Sequence, residues 1–140
     1  GDMMDVQKRS FDRLISIELA EELFKRAQNR FCDDPQIEIL QGDSGALIGG
    51  VVSSLKTPAL FWLDGHYSGG ETARGAEDSP IIQELEAVLR SNLPHVMAID
   101  DARCFNGFGG YPTIDALRKF VLGLKPKALV SLEHDLICIA

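Results

Sequence analysis

Five acids hold the chemistry this sequence can offer, and each follows an apolar run. "LISIE" ends on Glu18, and "QIEIL" runs into Gln41-Gly42-Asp43-Ser44. "PALFWL" stops at Asp64-Gly65-His66, and "HVMAI" at Asp100-Asp101. Carboxylates gathered on one edge must be neutralised by a cation, hydrogen-bonded to a ligand, or partly protonated. Hard cations such as Mg2+ take oxygen ligands of this kind. Asp64, Asp100 and Asp101 are therefore the candidates for metal or substrate contact. Two adjacent acids after a strand cannot face the same way, so one of the Asp100-Asp101 pair points at the rim. His66 offers a general base or a further metal ligand.

The other two acids each have two readings. Glu18 presents two parallel acceptor oxygens, which suit the two hydroxyls of a ribose; equally, it can face the dipole of a following helix. Gly42 allows a ligand close to the backbone, and Asp43 can accept from an amino group; equally, "GDS" can be a turn with an Asp cap. Arg74 and Arg103 are loop cations near the same rim, suited to an anionic substrate or to ordinary surface charge. His95 and His134 read as structural. There is no G-x-S-x-G, P-loop or G-x-G-x-x-G, so serine hydrolysis and phosphoryl transfer have no support.

The elements that must position these groups alternate in period. "RLISIEL" (13–19) reads as a strand, followed by the amphipathic "AEELFKRAQNRF" (20–31), with Leu23, Phe24, Ala27 and Phe31 on one face. "QIEIL" is a strand, "QGDSG" a turn, and "ALIGGVVSSL" a helix weakened by Gly49 and Gly50. After "PALFWL", a polar loop covers 67–78. Ser79 then caps "SPIIQELEAVLRSN", with Pro80 at its first position. "HVMAI" is the fourth strand. Thr113 caps "TIDALRKFVLGL", and "ALVSL" and "LICIA" form a terminal hairpin around Glu133-His134-Asp135. Alternation of strand and helix predicts an α/β fold: a three-layer, Rossmann-like, mostly parallel sheet with helices on both faces. Ligands in such sheets bind at the carboxyl ends of the strands, where the acids stand.

The 140 residues suit one domain, with 45 % hydrophobic and 25 % charged residues. A net charge of −7 argues against nonspecific binding to nucleic acid or anionic lipid. No apolar run approaches the roughly 18 residues of a membrane span. Cys32, Cys104 and Cys138 are odd in number and scattered, which reads as reduced thiols in a cytoplasmic protein.

Together, "LISIEL", "IEILQGDSG", "WLDGHYSGG", "IDDARCF" and "YPTIDALRKFV" resemble S-adenosylmethionine-dependent methyltransferases of class I, in the small-molecule O-methyltransferase branch typified by macrocin O-methyltransferase. The resemblance covers nearly the whole chain. It implies S-adenosylmethionine as cofactor, with Glu18 on the ribose, Gly42, Asp43 and Ser44 near the adenine, and Asp64 also at the cofactor. It implies a divalent metal, Mg2+ in the first instance, on Asp64, Asp100 and Asp101, which would orient and acidify a hydroxyl of a small substrate. Asp64 and His66 are then the catalytic candidates. The family's first strand and acidic, glycine-rich turn are not matched, so the resemblance implies an N-terminally truncated domain. That strand would sit between "LISIEL" and "PALFWL". Those two are therefore expected either to pair directly or to be covered by another chain in a homodimer or higher oligomer. The alternatives are a non-catalytic remnant of this fold and a metal-dependent hydrolase using the acidic rim.

Overall fold

The computed structural model describes residues 2–64 and 80–140, and these form two compact units, 1–47 and 48–140.

The first unit opens with a short helix, α1 (Asp2–Gln7), then β1 (Leu14–Glu18), α2 (Glu21–Arg30) and β2 (Ile37–Gln41). β1 and β2 are parallel, with Leu14 opposite Ile37 and Glu18 opposite Gln41. α2 carries Glu21 and Glu22 in its first turn and Arg30 in its last, matching the helix dipole. It ends where Phe31 donates its N–H to Ala27 O at 3.0 Å. Phe31 is buried, with the Lys8 ammonium and the Arg30 guanidinium each 5.3 Å from its ring centroid. Lys8 bridges Asp5 (3.0 Å) and Asp34 (2.6 Å), and Arg30 pairs with Asp5 at 2.5 Å. These ion pairs hold both carboxyls below the ordinary carboxylate range and raise Lys8.

Helix α3 (Ser44–Ser54) follows β2 directly. It begins two residues before the expected "ALIGGVVSSL", because Asp43 caps it, and the predicted "QGDSG" turn shortens accordingly.

The second unit contains β3 (Leu60–Leu63), α4 (Ile81–Leu89), β4 (Val96–Ile99), a 3-10 turn (Ala102–Cys104), α5 (Ile114–Leu124), β5 (Val130–Glu133) and β6 (Leu136–Ile139). Its sheet has the order β3-β4-β6-β5. β3 and β4 are parallel, whereas β6 is antiparallel to both β4 and β5, so the expected terminal hairpin is present. Met97, Ala98 and Ile99 are all buried although neighbouring strand residues face opposite ways, so both faces of β4 are covered. α4 buries Ile81, Leu85, Val88 and Leu89 at helical spacing, and α5 buries Leu117 and Val121. Thr113 caps α5 as its sequence suggests, accepting from Ala116 N–H at 3.1 Å. The cap expected at Ser79 lies outside the described residues.

The chain is thus a mixed α/β protein with parallel strand pairs. Among the described residues, β1 and β2 form the sheet of the first unit, and β3, β4, β6 and β5 that of the second. The three cysteines are free. Among the described residues, no helix is long and apolar enough to cross a membrane.

Candidate functional site

In the first unit the parallel register brings Glu18 and Gly42-Asp43 to the same sheet end. Glu18 lies opposite Gln41, and Gly42 N–H donates to Glu18 O at 3.1 Å. Glu18 is half-buried, and its Oε1 accepts from Ala20 N–H at 3.1 Å, so the carboxylate braces the turn into α2. Ala20 itself, at the cap position, has no side chain that can do this.

Gly42 has φ +144°, and a Cβ there would meet Leu47 Cδ1 at 2.8 Å. The positive φ is what demands glycine, since a leucine tip can move aside. Asp43 Oδ1 accepts from Ala46 N–H at 3.0 Å, and Asp43 O accepts from Leu47 N–H at 3.0 Å. Asp43 is therefore the cap of α3 and is exposed, and Ser44 is the first helical residue. The capping reading of "GDS" holds here, and it leaves the second Asp43 oxygen uncommitted to the cap.

In the second unit, β3 and β4 end together. Leu63 lies opposite Ile99, and Asp100 N–H donates to Leu63 O at 3.0 Å. Asp64 and Asp100 are thus the next residues on two adjacent parallel strands, as the sequence layout requires. The Asp100-Asp101 pair then divides. Asp100 Oδ1 accepts from Asp101 N–H at 2.8 Å. Asp101 turns into the left-handed region, φ 58° and ψ 46°, which aims the two side chains apart. Asp101 is buried and its carboxylate pairs with Arg103.

Arg103 also pairs with Asp135, while its own N–H donates to Asp135 Oδ1 at 2.9 Å. Ala102 N–H donates to Asp135 O at 2.8 Å. The cation that the sequence offered to an anionic substrate is therefore held between two carboxylates of the protein. Asp135 is the residue that sequence reasoning missed. It sits in the β5–β6 turn, 32 residues from Arg103, and only the antiparallel β4–β6 pairing brings it there. The left-handed His134 before it (φ 56°) is the local trace of that tight turn.

His66 and Arg74 lie outside the described residues. Among the described residues, no three His, Cys, Asp or Glu side chains come together as a cation-binding group. The sheet ends thus bring together Glu18 with Gly42, Asp43 and Ser44 in one unit, and Asp64 with Asp100 in the other.

No protein-family model and no curated protein matches the chain. Solved structures do. A Staphylococcus aureus protein provisionally named a caffeoyl-CoA O-methyltransferase is similar over 98 % of this chain and 68 % of its own, with TM-score 0.59 and 15 % identity. A Clostridium thermocellum protein provisionally named an rRNA methylase is similar over 91 % of this chain and 73 % of its own, with TM-score 0.54 and 14 % identity. At these identities the likeness is one of fold, and the chain has the Rossmann-like α/β fold of the two.

Proposed function

We propose that the protein is an S-adenosylmethionine-dependent O-methyltransferase acting on a small hydroxylated molecule. The observation that supports this reading is a shared fold along 98 % of the chain, with acids standing at the carboxyl ends of its parallel strands. The assignment to the macrocin O-methyltransferase branch rests on the sequence motifs alone.

The residues present suit the cofactor's polar parts. Glu18 offers a half-buried carboxylate for ribose hydroxyls, and the exposed Asp43 offers an oxygen beyond the cap for an adenine amino group. Gly42 makes the turn that sets Asp43 beside Glu18, and Ser44 adds a hydroxyl at the helix start. When bound, S-adenosylmethionine supplies an electrophilic methyl group. The chain's own task is to hold a hydroxyl of the acceptor and to draw off its proton. Asp64 and Asp100, side by side at the strand ends, are the acceptors for that hydrogen bond. Asp101 belongs to this set by sequence, but its carboxylate is neutralised by Arg103; its backbone N–H holds the Asp100 carboxylate in place.

The two similar structures carry names for acceptors of different kinds, a small thioester and an RNA. A net charge of −7 favours the small molecule, because an RNA substrate rewards a basic face.

The test is calorimetry with S-adenosylmethionine, with and without Mg2+, followed by an assay for S-adenosylhomocysteine over a panel of hydroxylated small molecules. Saturable cofactor binding that Glu18→Ala weakens, with turnover that Asp64→Asn and Asp100→Asn lower, is the expected result. No cofactor binding would leave the non-catalytic reading in its place. Binding of Mg2+ alone, with hydrolytic activity, would favour the hydrolase.

A further inference from the structure

Asp135 stands in the turn between β5 and β6, yet it is tied to the residues that follow Asp100. The antiparallel register sets Ile99 opposite Ile137, so its continuation brings Asp135 opposite Asp101. Ala102 N–H donates to Asp135 O at 2.8 Å, and Arg103 N–H donates to Asp135 Oδ1 at 2.9 Å. The Arg103 guanidinium pairs with both Asp135 and Asp101, which closes the link.

These bonds hold a costly backbone. Among the described residues, the non-glycine residues with positive φ are Asp101 (58°) and His134 (56°), and they flank this contact from its two strands. A residue with a Cβ keeps that conformation only where its surroundings over-determine it. Ala102 and Arg103, the two residues after Asp101, are the ones anchored on Asp135. The result is that Asp101 N–H points back at Asp100 Oδ1, 2.8 Å away. Asp100 is half-buried, and this bond engages one of its two oxygens.

We propose that Asp135 is a positioning residue for Asp100. Its bond to Arg103 N–H anchors the backbone behind Asp101 and keeps Asp101 left-handed. Asp101 N–H then stays on one Asp100 oxygen, which leaves the other for the acceptor hydroxyl. A carboxylate already fixed through one oxygen gives up less freedom when the other takes up a hydrogen bond, so the anchor supplies preorganisation. The inference rests on the reading of Asp100 as an acceptor for that hydroxyl, and it adds the β5–β6 turn to the machinery of the strand ends.

Two readouts at one neutral pH test it. The first needs no substrate: the Asp101 amide resonance and its hydrogen-exchange rate. Asp100→Ala removes the acceptor and so marks the resonance of the unbonded amide. Asp135→Ala is expected to move the Asp101 resonance toward that position and to speed its exchange about tenfold. Asp135→Asn keeps an oxygen for Arg103 N–H and should hold the wild-type position. Glu133→Ala, exposed in the same hairpin, should change nothing. Asp135→Ala keeps the main-chain bond from Ala102, and thermal melts report whether it folds; Asp135→Ser, with an arm too short for Arg103 N–H, replaces it if it does not.

The second readout is turnover. Asp135→Ala is expected to lower kcat roughly three- to tenfold with KM for S-adenosylmethionine unchanged, and Asp135→Asn to restore it. An Asp101 amide unmoved in Asp135→Ala, or moved as far by Asp135→Asn or Glu133→Ala, would overturn the proposal. So would full turnover in Asp135→Ala with the amide displaced. A wild-type protein without turnover would instead remove the methyltransferase reading, and the amide readout would still decide whether Asp135 holds Asp100.

Discussion

The Arg103 guanidinium lies against the carboxylate of Asp101, whose side chain is only 10 % exposed. A buried carboxylate needs that partner, because an unpaired charge away from water is costly. Arg103 is itself 61 % exposed, which moderates its worth. Arg103→Ala is therefore expected to destabilise the fold by about 1–2 kcal/mol in urea unfolding, below the cost of breaking a wholly buried pair. Arg103→Lys keeps the charge and should lose less. An unchanged urea midpoint for Arg103→Ala would mean that Asp101 is satisfied without it.

Gly42 makes a second prediction that separates two causes. Gly42→Ala places a Cβ 2.8 Å from Leu47 Cδ1 and puts alanine at φ +144°. The side-chain clash can relax, because a leucine tip moves; the backbone conformation cannot. A loss of about 1–3 kcal/mol is expected. Gly42→Ala/Leu47→Ala should not restore it. Full recovery in the double variant would show that crowding, and not φ, is the reason for glycine.

Asp43 both caps α3 and is proposed to meet the cofactor, and two substitutions divide those roles. Asp43→Ala loses the bond from Ala46 N–H and should cost about 1 kcal/mol. Asp43→Ser restores the cap, so stability should return, but its single short-armed oxygen cannot also reach a ligand. S-adenosylmethionine affinity in calorimetry should therefore stay low in Asp43→Ser. Wild-type affinity there would leave Asp43 as a cap alone.

Stability should fall with pH in two separate windows. His95 is depressed from the ordinary value of 6.5, first by burial and then by Lys125. The unfolded chain takes up the proton before the folded one does, so this contribution is complete above about 6.5 and is lost as pH falls from there toward the folded-state pKa. Asp5 and Asp34 are depressed from 3.8 by their bonds to Lys8, so their contribution is lost only at lower pH, below that value. Urea midpoints measured from pH 8 to 3 should show both steps. His95→Gln should remove the upper step alone, and a step that survives it would belong to another group.

The sequence by itself determined the elements and their order. Runs such as "LISIE" and "VMAI" are short and rich in apolar and β-branched residues, as strands are, and Ile81, Leu85, Val88 and Leu89 repeat at the helical period. Local rules also placed the Thr113 cap and set Asp64 and Asp100 at adjacent strand ends. Tertiary structure alone decided what the acids do. Asp100 and Asp101 are neighbours in sequence, yet one braces a backbone N–H and the other pairs with Arg103, because a single left-handed residue turns them apart. Arg103 reads as an available cation until the β4–β6 pairing brings Asp135 to it. Periodicity records which face of an element is buried; a carboxylate's partner depends on contacts across tens of residues, which only the folded chain brings within a hydrogen bond's reach.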